Sequence, residues 1–208
     1  MPVWYHETYT EGISRSARFP RDRYRMLRER LNDLHGTGLI CIESPEPVVR
    51  DTLLIAHEQD YVDRFLSGSL DTKEVRRIGL EPWTDAFLPR TMRIIGGAVE
   101  ALAHVTRFGG IAANMAGGTH HSHRSFGSGY CVFNDLAICA LLARDEYGYE
   151  RIAVLDLDVH QGDGTATILK GEEGIITISV HGEKNFPFRK AKSDHDFPLP
   201  NGTGNEGY

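Results

Sequence analysis

Apolar positions along this chain repeat at two periods. Tyr24, Leu27, Leu31 and Leu34 fall at helical spacing and predict a helix from about Arg21 to His35, with those four as its buried stripe. Gly38 to Ile42 reads as a short strand, and Pro45 and Pro47 punctuate the loop after it. Leu53 to Leu66 predicts a helix that Gly68 ends, whereas Leu70 to Pro82 has mixed charge, no clear period and the look of a surface loop. Asp85 to Val105 predicts a long amphipathic helix in which Gly96 and Gly97 permit close packing. Strands are then predicted at Gly109 to Asn114, Ile152 to Asp158 and Ile175 to Val180. Helices are predicted at Asn134 to Tyr147, with Asn134 or Asp135 near the N-cap, and at Gly162 to Leu169. Strands alternating with helices imply an α/β fold with a mostly parallel sheet. In such sheets the active site lies beyond the carboxyl ends of the strands. The loop around His120, the segment around Asp158 and the end of the strand at His181 all lie there.

Composition changes this picture little. At 208 residues, 40% hydrophobic and 25% charged, the chain suits a single domain, 1–208, with a substantial core. No apolar run approaches the roughly 20 residues of a membrane span, and the N-terminus lacks a basic region followed by an apolar one. The cysteines Cys41, Cys131 and Cys139 form no CxxC and imply reduced thiols in a cytoplasmic compartment, with Cys41 and Cys139 as small buried hydrophobes. A net charge of -6 disfavours nucleic-acid binding, and the basic cluster Arg21 to Arg30 reads as the solvated side of a helix.

The candidate chemistry is concentrated in Leu155-Asp156-Leu157-Asp158-Val159-His160-Gln161-Gly162-Asp163-Gly164. Asp156, Asp158 and His160 share one parity, so on a continuing strand they project from one face. Charges at the end of a buried strand are paired or bind metal. Carboxylate oxygen plus imidazole nitrogen is the ligand set of a catalytic divalent ion with open positions. If Asp158 and His160 bind metal, Asp156 and Asp163 are free to orient the adjacent His120 and His121. Two His–Asp units beside a metal-activated water can act as general base and general acid. The blander alternative is a pair of exposed loop histidines. Gly129 and Tyr130 read either as the wall of a narrow channel or as a turn with an anchored aromatic. His123 has no evident partner and is expected in solvent. His57, one turn before Tyr61, reads as a structural hydrogen-bonding histidine.

Three motifs now stand in order: Gly117-Gly118-Thr119-His120-His121, then Gly127-Ser128-Gly129-Tyr130-Cys131-Val132-Phe133-Asn134-Asp135, then Asp156 to Gly164. Together they resemble the zinc-dependent histone deacetylase superfamily. Gln161, Arg18-Phe19-Pro20 and Tyr24 look most like its class IV branch and bacterial relatives. The resemblance implies the arginase/deacetylase-like three-layer α/β fold around a mostly parallel central sheet. It implies that Asp158 and His160 are two of three protein ligands to zinc, or to iron in its place. It makes His120 and His121 the general acid/base pair, oriented by Asp156 and Asp163, and Gly129 and Tyr130 the lining of an acyl-lysine channel. It also implies a structural potassium ion near Asp156, Asp158, His160, Ser179 and Val180.

The family's third ligand, an aspartate, and its transition-state tyrosine come from later strands and loops that do not occur among these residues. The chain is therefore expected to be a fragment of a longer deacylase acting on acyl-lysine or a related acylated amine. A truncated inactive product, or a site completed by a partner or by a second copy in a homo-oligomer, are the other readings of the same departure. Two further functions fit the same residues: an arginase-type ureohydrolase with two manganese ions, and a non-catalytic acyl-lysine binding module.

Overall fold

The computed structural model describes residues 1–208. Strand β1 (Pro2–Trp4) pairs in parallel with β2 (Cys41–Glu43) on one side and β3 (Ala113–Asn114) on the other. Strand β4 (Ile152–Asp156) pairs in parallel with β5 (Ile175–Gly182), and β5 with β6 (His195–Leu199). Every strand pair is parallel, as the alternation of elements implies, and the pairing divides into two three-stranded sheets. The fold is the mixed α/β class expected. No helix is long and apolar enough to cross a membrane.

The helices are α1 (Arg23–Arg30), α2 (Asn32–Gly36), α3 (Arg50–Leu54), α4 (Gln59–Leu66), α5 (Thr72–Ile78), α6 (Phe87–Phe108), α7 (Asp135–Asp145) and α8 (Asp163–Ile168). A cluster of 26 buried residues joins all of them but α2, with Tyr9, Leu53, Tyr61, Phe87, Phe133 and Ile138 fully enclosed. Helix α6 crosses the centre and lies close to its neighbours through two glycines. A Cβ on Gly96 would collide with the Glu46 carbonyl oxygen, and one on Gly97 would lie 2.6 Å from Asn114 Oδ1 and 2.7 Å from the Tyr9 hydroxyl.

Four expectations are corrected. The segment around 70–82 is not all loop: α5 runs through it, started by a capping box. Asp71 accepts from the Lys73 and Glu74 amides at 2.7 and 2.8 Å, and the Glu74 carboxylate accepts from the Asp71 amide at 2.9 Å. The helix expected over Arg21 to His35 is two short ones. Of its stripe only Tyr24 is buried; Leu31 packs partly against Val3, Ile40 and Met115, and Leu27 and Leu34 are each 40% exposed. The helix expected over Leu53 to Leu66 divides into α3 and α4, with His57 in the bend between them. Cys41 is exposed at the sheet edge, and Cys139 is only partly buried.

Candidate active site

Two aspartates end strand β4 and make the turn after it. The Asp158 amide donates to Asp156 Oδ1 at 3.0 Å, and the His160 amide donates to Asp158 Oδ1 at 2.8 Å. Short acidic side chains that bond the backbone two residues on compete with the sheet ladder and curl the chain away from it. Asp158 and His160 therefore do not share a strand face, as their parity implied; successive turns bring them to one cavity instead.

The loop carrying His120 and His121 is fastened from below by α7 and α8. Asp135 is 2% exposed and accepts from the Gly118 amide at 2.9 Å and from the Thr119 amide and hydroxyl at 2.7 and 2.6 Å. Asn134 caps α7 through the Ala137 amide and donates to the Ser122 carbonyl at 3.1 Å. The Thr165 amide of α8 donates to the His120 carbonyl at 3.0 Å. Gly164 lies against the same loop, and a Cβ there would collide with the Ser122 carbonyl oxygen. His57 acts as expected of a structural histidine. One ring nitrogen lies 2.9 Å from the His123 carbonyl, and the other accepts from the Asn134 amide at 2.9 Å. Those two bonds require the neutral Nδ1–H tautomer, and burial pushes its pKa down to about 4.

Each histidine of the pair has its own carboxylate. His120 Nδ1 lies 2.5 Å from Asp156 Oδ2, and His121 Nδ1 lies 2.7 Å from Asp163 Oδ1. The two ring centroids are 4.0 Å apart. Their environments differ. Burial disfavours the charged form of His120, but the hydrogen bond and charge of Asp156, reinforced by Asp158 and Asp163, outweigh it and raise its pKa. For His121 burial prevails over the bond to Asp163, with the charge of His120 in support, and its pKa falls. Burial raises the pKa of the Asp163 carboxyl, yet hydrogen bonds from His121 and His123 more than offset this and lower it to about 2. Neighbouring groups whose pKa values are driven apart suit opposite proton-transfer tasks.

Asp158 and His160 lie beside this pair. His160 Nδ1 is 3.0 Å from Asp158 Oδ1, and His120 Nε2 is 3.9 Å from the same oxygen. An oxygen and an imidazole donor so close together fit two ligand positions of a divalent ion. No group of three or more His, Cys, Asp and Glu side chains converges to hold one. Ser179 pairs with Asp156 in register across β4 and β5, and its hydroxyl lies 3.0 Å from His181 Nδ1; Val180 follows it on β5.

A cavity of about 220 Å³ reaches from Phe19, Tyr24 and Arg90 to His120, His121, Asp158 and His160. A wider mouth opens over His121, His160, Gly129, Tyr130 and Phe186. Gly129 and Tyr130 are the two central residues of a tight turn closed by Ser128 and Cys131, both with positive φ, +54° and +68°. A positive φ at tyrosine is uncommon. Here the Tyr130 amide is held by the Ile78 carbonyl at 2.7 Å, and the ring meets Phe19 edge-on at 5.3 Å.

Three residues of the site escaped sequence reasoning. Phe186 meets the His121 ring at 4.9 Å from a loop whose composition carries no periodic signal. Asp135 carries only a helix-cap signal in the sequence, yet its carboxylate anchors the Gly118 and Thr119 amides. His123, expected in solvent, lies with its Nε2 3.2 Å from Asp163 Oδ2, and only 19% of its side chain is exposed.

Comparison with known proteins places the chain in a family. The histone deacetylase domain matches residues 17–208. An uncharacterized protein of Picosynechococcus sp. is 41% identical over 210 residues, which is 100% of this chain and 68% of that protein. The acetoin utilization protein AcuC of Staphylococcus aureus is 31% identical over 160 residues, covering 70% of this chain and 41% of AcuC. AcuC of Staphylococcus xylosus is 29% identical over 196 residues, covering 89% and 50%. The chain thus spans half or less of the AcuC proteins it matches.

Proposed function

The chain belongs to the histone deacetylase domain family, and from that premise we propose that it carries part of the active site of a metal-dependent amidohydrolase. The reaction removes acetyl, or another acyl group, from a lysine side chain or a related amine. The observation that supports this most is the tandem pair, His120 on Asp156 and His121 on Asp163, at the floor of one cavity. Gly129 and Tyr130, with Phe186 opposite, would flank an extended acyl-lysine chain at the mouth.

Asp158 and His160 would hold a divalent ion, zinc or iron, which when bound supplies Lewis-acid polarisation of the acyl carbonyl and activation of water. His120 and His121 divide the proton work: one imidazole takes the proton of the attacking water, and one delivers a proton to the leaving amine nitrogen. Asp156 and Asp163 fix the Nδ1–H tautomers, so that each Nε2 is the atom available to the reacting groups. A structural potassium ion near Asp156, Asp158, His160, Ser179 and Val180 belongs to the same reading. So do a single domain that includes residues 1–208 and a cytoplasmic location, which three unpaired cysteines support.

A fluorogenic acetyl-lysine peptide tests the reaction, with this chain and a chain extended to the length of its relatives assayed side by side. Release of the amine that chelators abolish and added zinc or iron restores is the expected result. Silence of the extended, metal-loaded chain on acetylated and longer acylated peptides alike would sink the proposal.

A further inference from the structure

Asp163 has a second imidazole that the proton chemistry above does not use. Its Oδ1 meets His121 Nδ1 at 2.7 Å, and its Oδ2 meets His123 Nε2 at 3.2 Å. A carboxylate bonded through one oxygen can rotate about its last carbon–carbon bond. One bonded through both oxygens to separate rings has its plane fixed.

His123 is itself held on several sides. Its Nδ1 lies 2.8 Å from the Thr167 hydroxyl on α8, and its ring stacks on Phe126 at 4.4 Å and 24°. Arg77 lies over the Phe126 ring at 4.6 Å. The His123 amide donates to the Phe126 carbonyl at 2.9 Å, and its own carbonyl is bonded by His57. The Thr167 hydroxyl also lies 2.9 Å from the Gly164 carbonyl, so its one proton serves either that oxygen or His123. None of these contacts involves Asp158 or His160.

We propose that His123 is a positioning residue: by clamping the second oxygen of Asp163 it holds His121 in one tautomer and one ring orientation at the cavity floor. Its chemical meaning rests on the deacylase reading, but the clamp itself is a property of the fold. His123 reaches the reacting atoms only through Asp163 and His121.

The test uses the full chain labelled with nitrogen-15 histidine, with the hydrogen-bonded Nδ1–H proton of His121 followed by NMR. His123→Phe keeps the stacking on Phe126 and removes both ring nitrogens. His123→Gln restores a donor within reach of Asp163. Expected in His123→Phe is a His121 Nδ1–H signal that moves upfield or broadens through exchange with water, and that His123→Gln largely restores. In a chain with deacylase activity kcat falls about tenfold at unchanged KM, as for the loss of a group that orients a ligand. Thr167→Val, at an exposed position, gives a smaller change in the same direction and decides the matter if His123→Phe does not fold. An unchanged His121 Nδ1–H signal in His123→Phe, or in Thr167→Val where that variant must serve, overturns the proposal. Absence of deacylation in the extended wild-type chain defeats the deacylase reading alone, because the NMR signal still decides the role of His123.

Discussion

The two halves of the candidate site are built to different degrees of closure. His120 and His121 keep 7% and 4% of their side chains exposed, and Asp156 and Asp163 keep 10% and 11%. Asp158 and His160, a few ångströms away, keep 51% and 42%. The buried units are fastened by Asp135, Asn134 and α8, whereas the open pair is held by the two aspartate turns and one half-exposed contact. Exposed ion pairs contribute little, typically about 0–1 kcal/mol. The contrast teaches that the His–Asp half is held by buried hydrogen bonds of the fold, while Asp158 and His160 are held mainly by their own turn and stay open to solvent.

The largest expected effects come from separating these halves. Asp158→Ala is expected to weaken zinc binding, measured by calorimetry, at least about 100-fold, because a lost ligand costs no less than a lost orienting group. His121→Ala is expected to leave zinc binding nearly intact and to lower deacylation about 100- to 10,000-fold, the range for a general acid or base. The division fails if His121→Ala costs as much zinc affinity as Asp158→Ala.

Next in size is an acid-sensitive fastening of the closed half. His57 is neutral in the folded chain down to about pH 4, because burial disfavours its charged form. In the unfolded chain it takes up a proton near pH 6.5. Between these values the unfolded state binds more protons, so stability rises with pH there and is lost on acidification. The contribution is fully present above about pH 6.5, and about 3 kcal/mol of it is gone near pH 4. Denaturant titrations of wild type and His57→Gln across this window, subtracted from each other, isolate it from the other titrating groups. A difference that does not change with pH refutes it.

How much of this was legible before the structure depended on whether the information was local. The pairing of the tandem histidines with the aspartates of β4 and α8 was legible because motif spacing specifies the turns that carry them. Helix α5 is also written locally, as Asp71-x-x-Glu74, but mixed charge masks its period. Strand β1 is too short to show a period, and β6 carries His195, Asp196 and Pro198, so only their neighbours define them as strands. His123 and Phe186 were beyond sequence reasoning for another reason. Their partners, Asp163 and His121, are far away in the chain, and nothing local distinguishes either residue from a solvent-facing side chain.

The smallest effect expected lies at the seam between the halves, where Gly129 passes over His121. Its φ is +54°, and a Cβ there would come within 2.5 Å of His121 Cδ2. Gly118, in the histidine loop itself, has a similar φ of +64° with nothing within 4 Å of its would-be Cβ. Gly118→Ala therefore carries only the backbone penalty, about 1 kcal/mol. Gly129→Ala carries that penalty plus the displacement of a buried ring, about 2–3 kcal/mol in all. Thermal unfolding of the two variants measures the difference directly. If the displaced ring transfers protons as proposed, Gly129→Ala also lowers turnover while Gly118→Ala retains it. Equal losses of stability and turnover in both would mean that the turn before Tyr130 yields, and that the closed half of the site is less rigid than its hydrogen bonds imply.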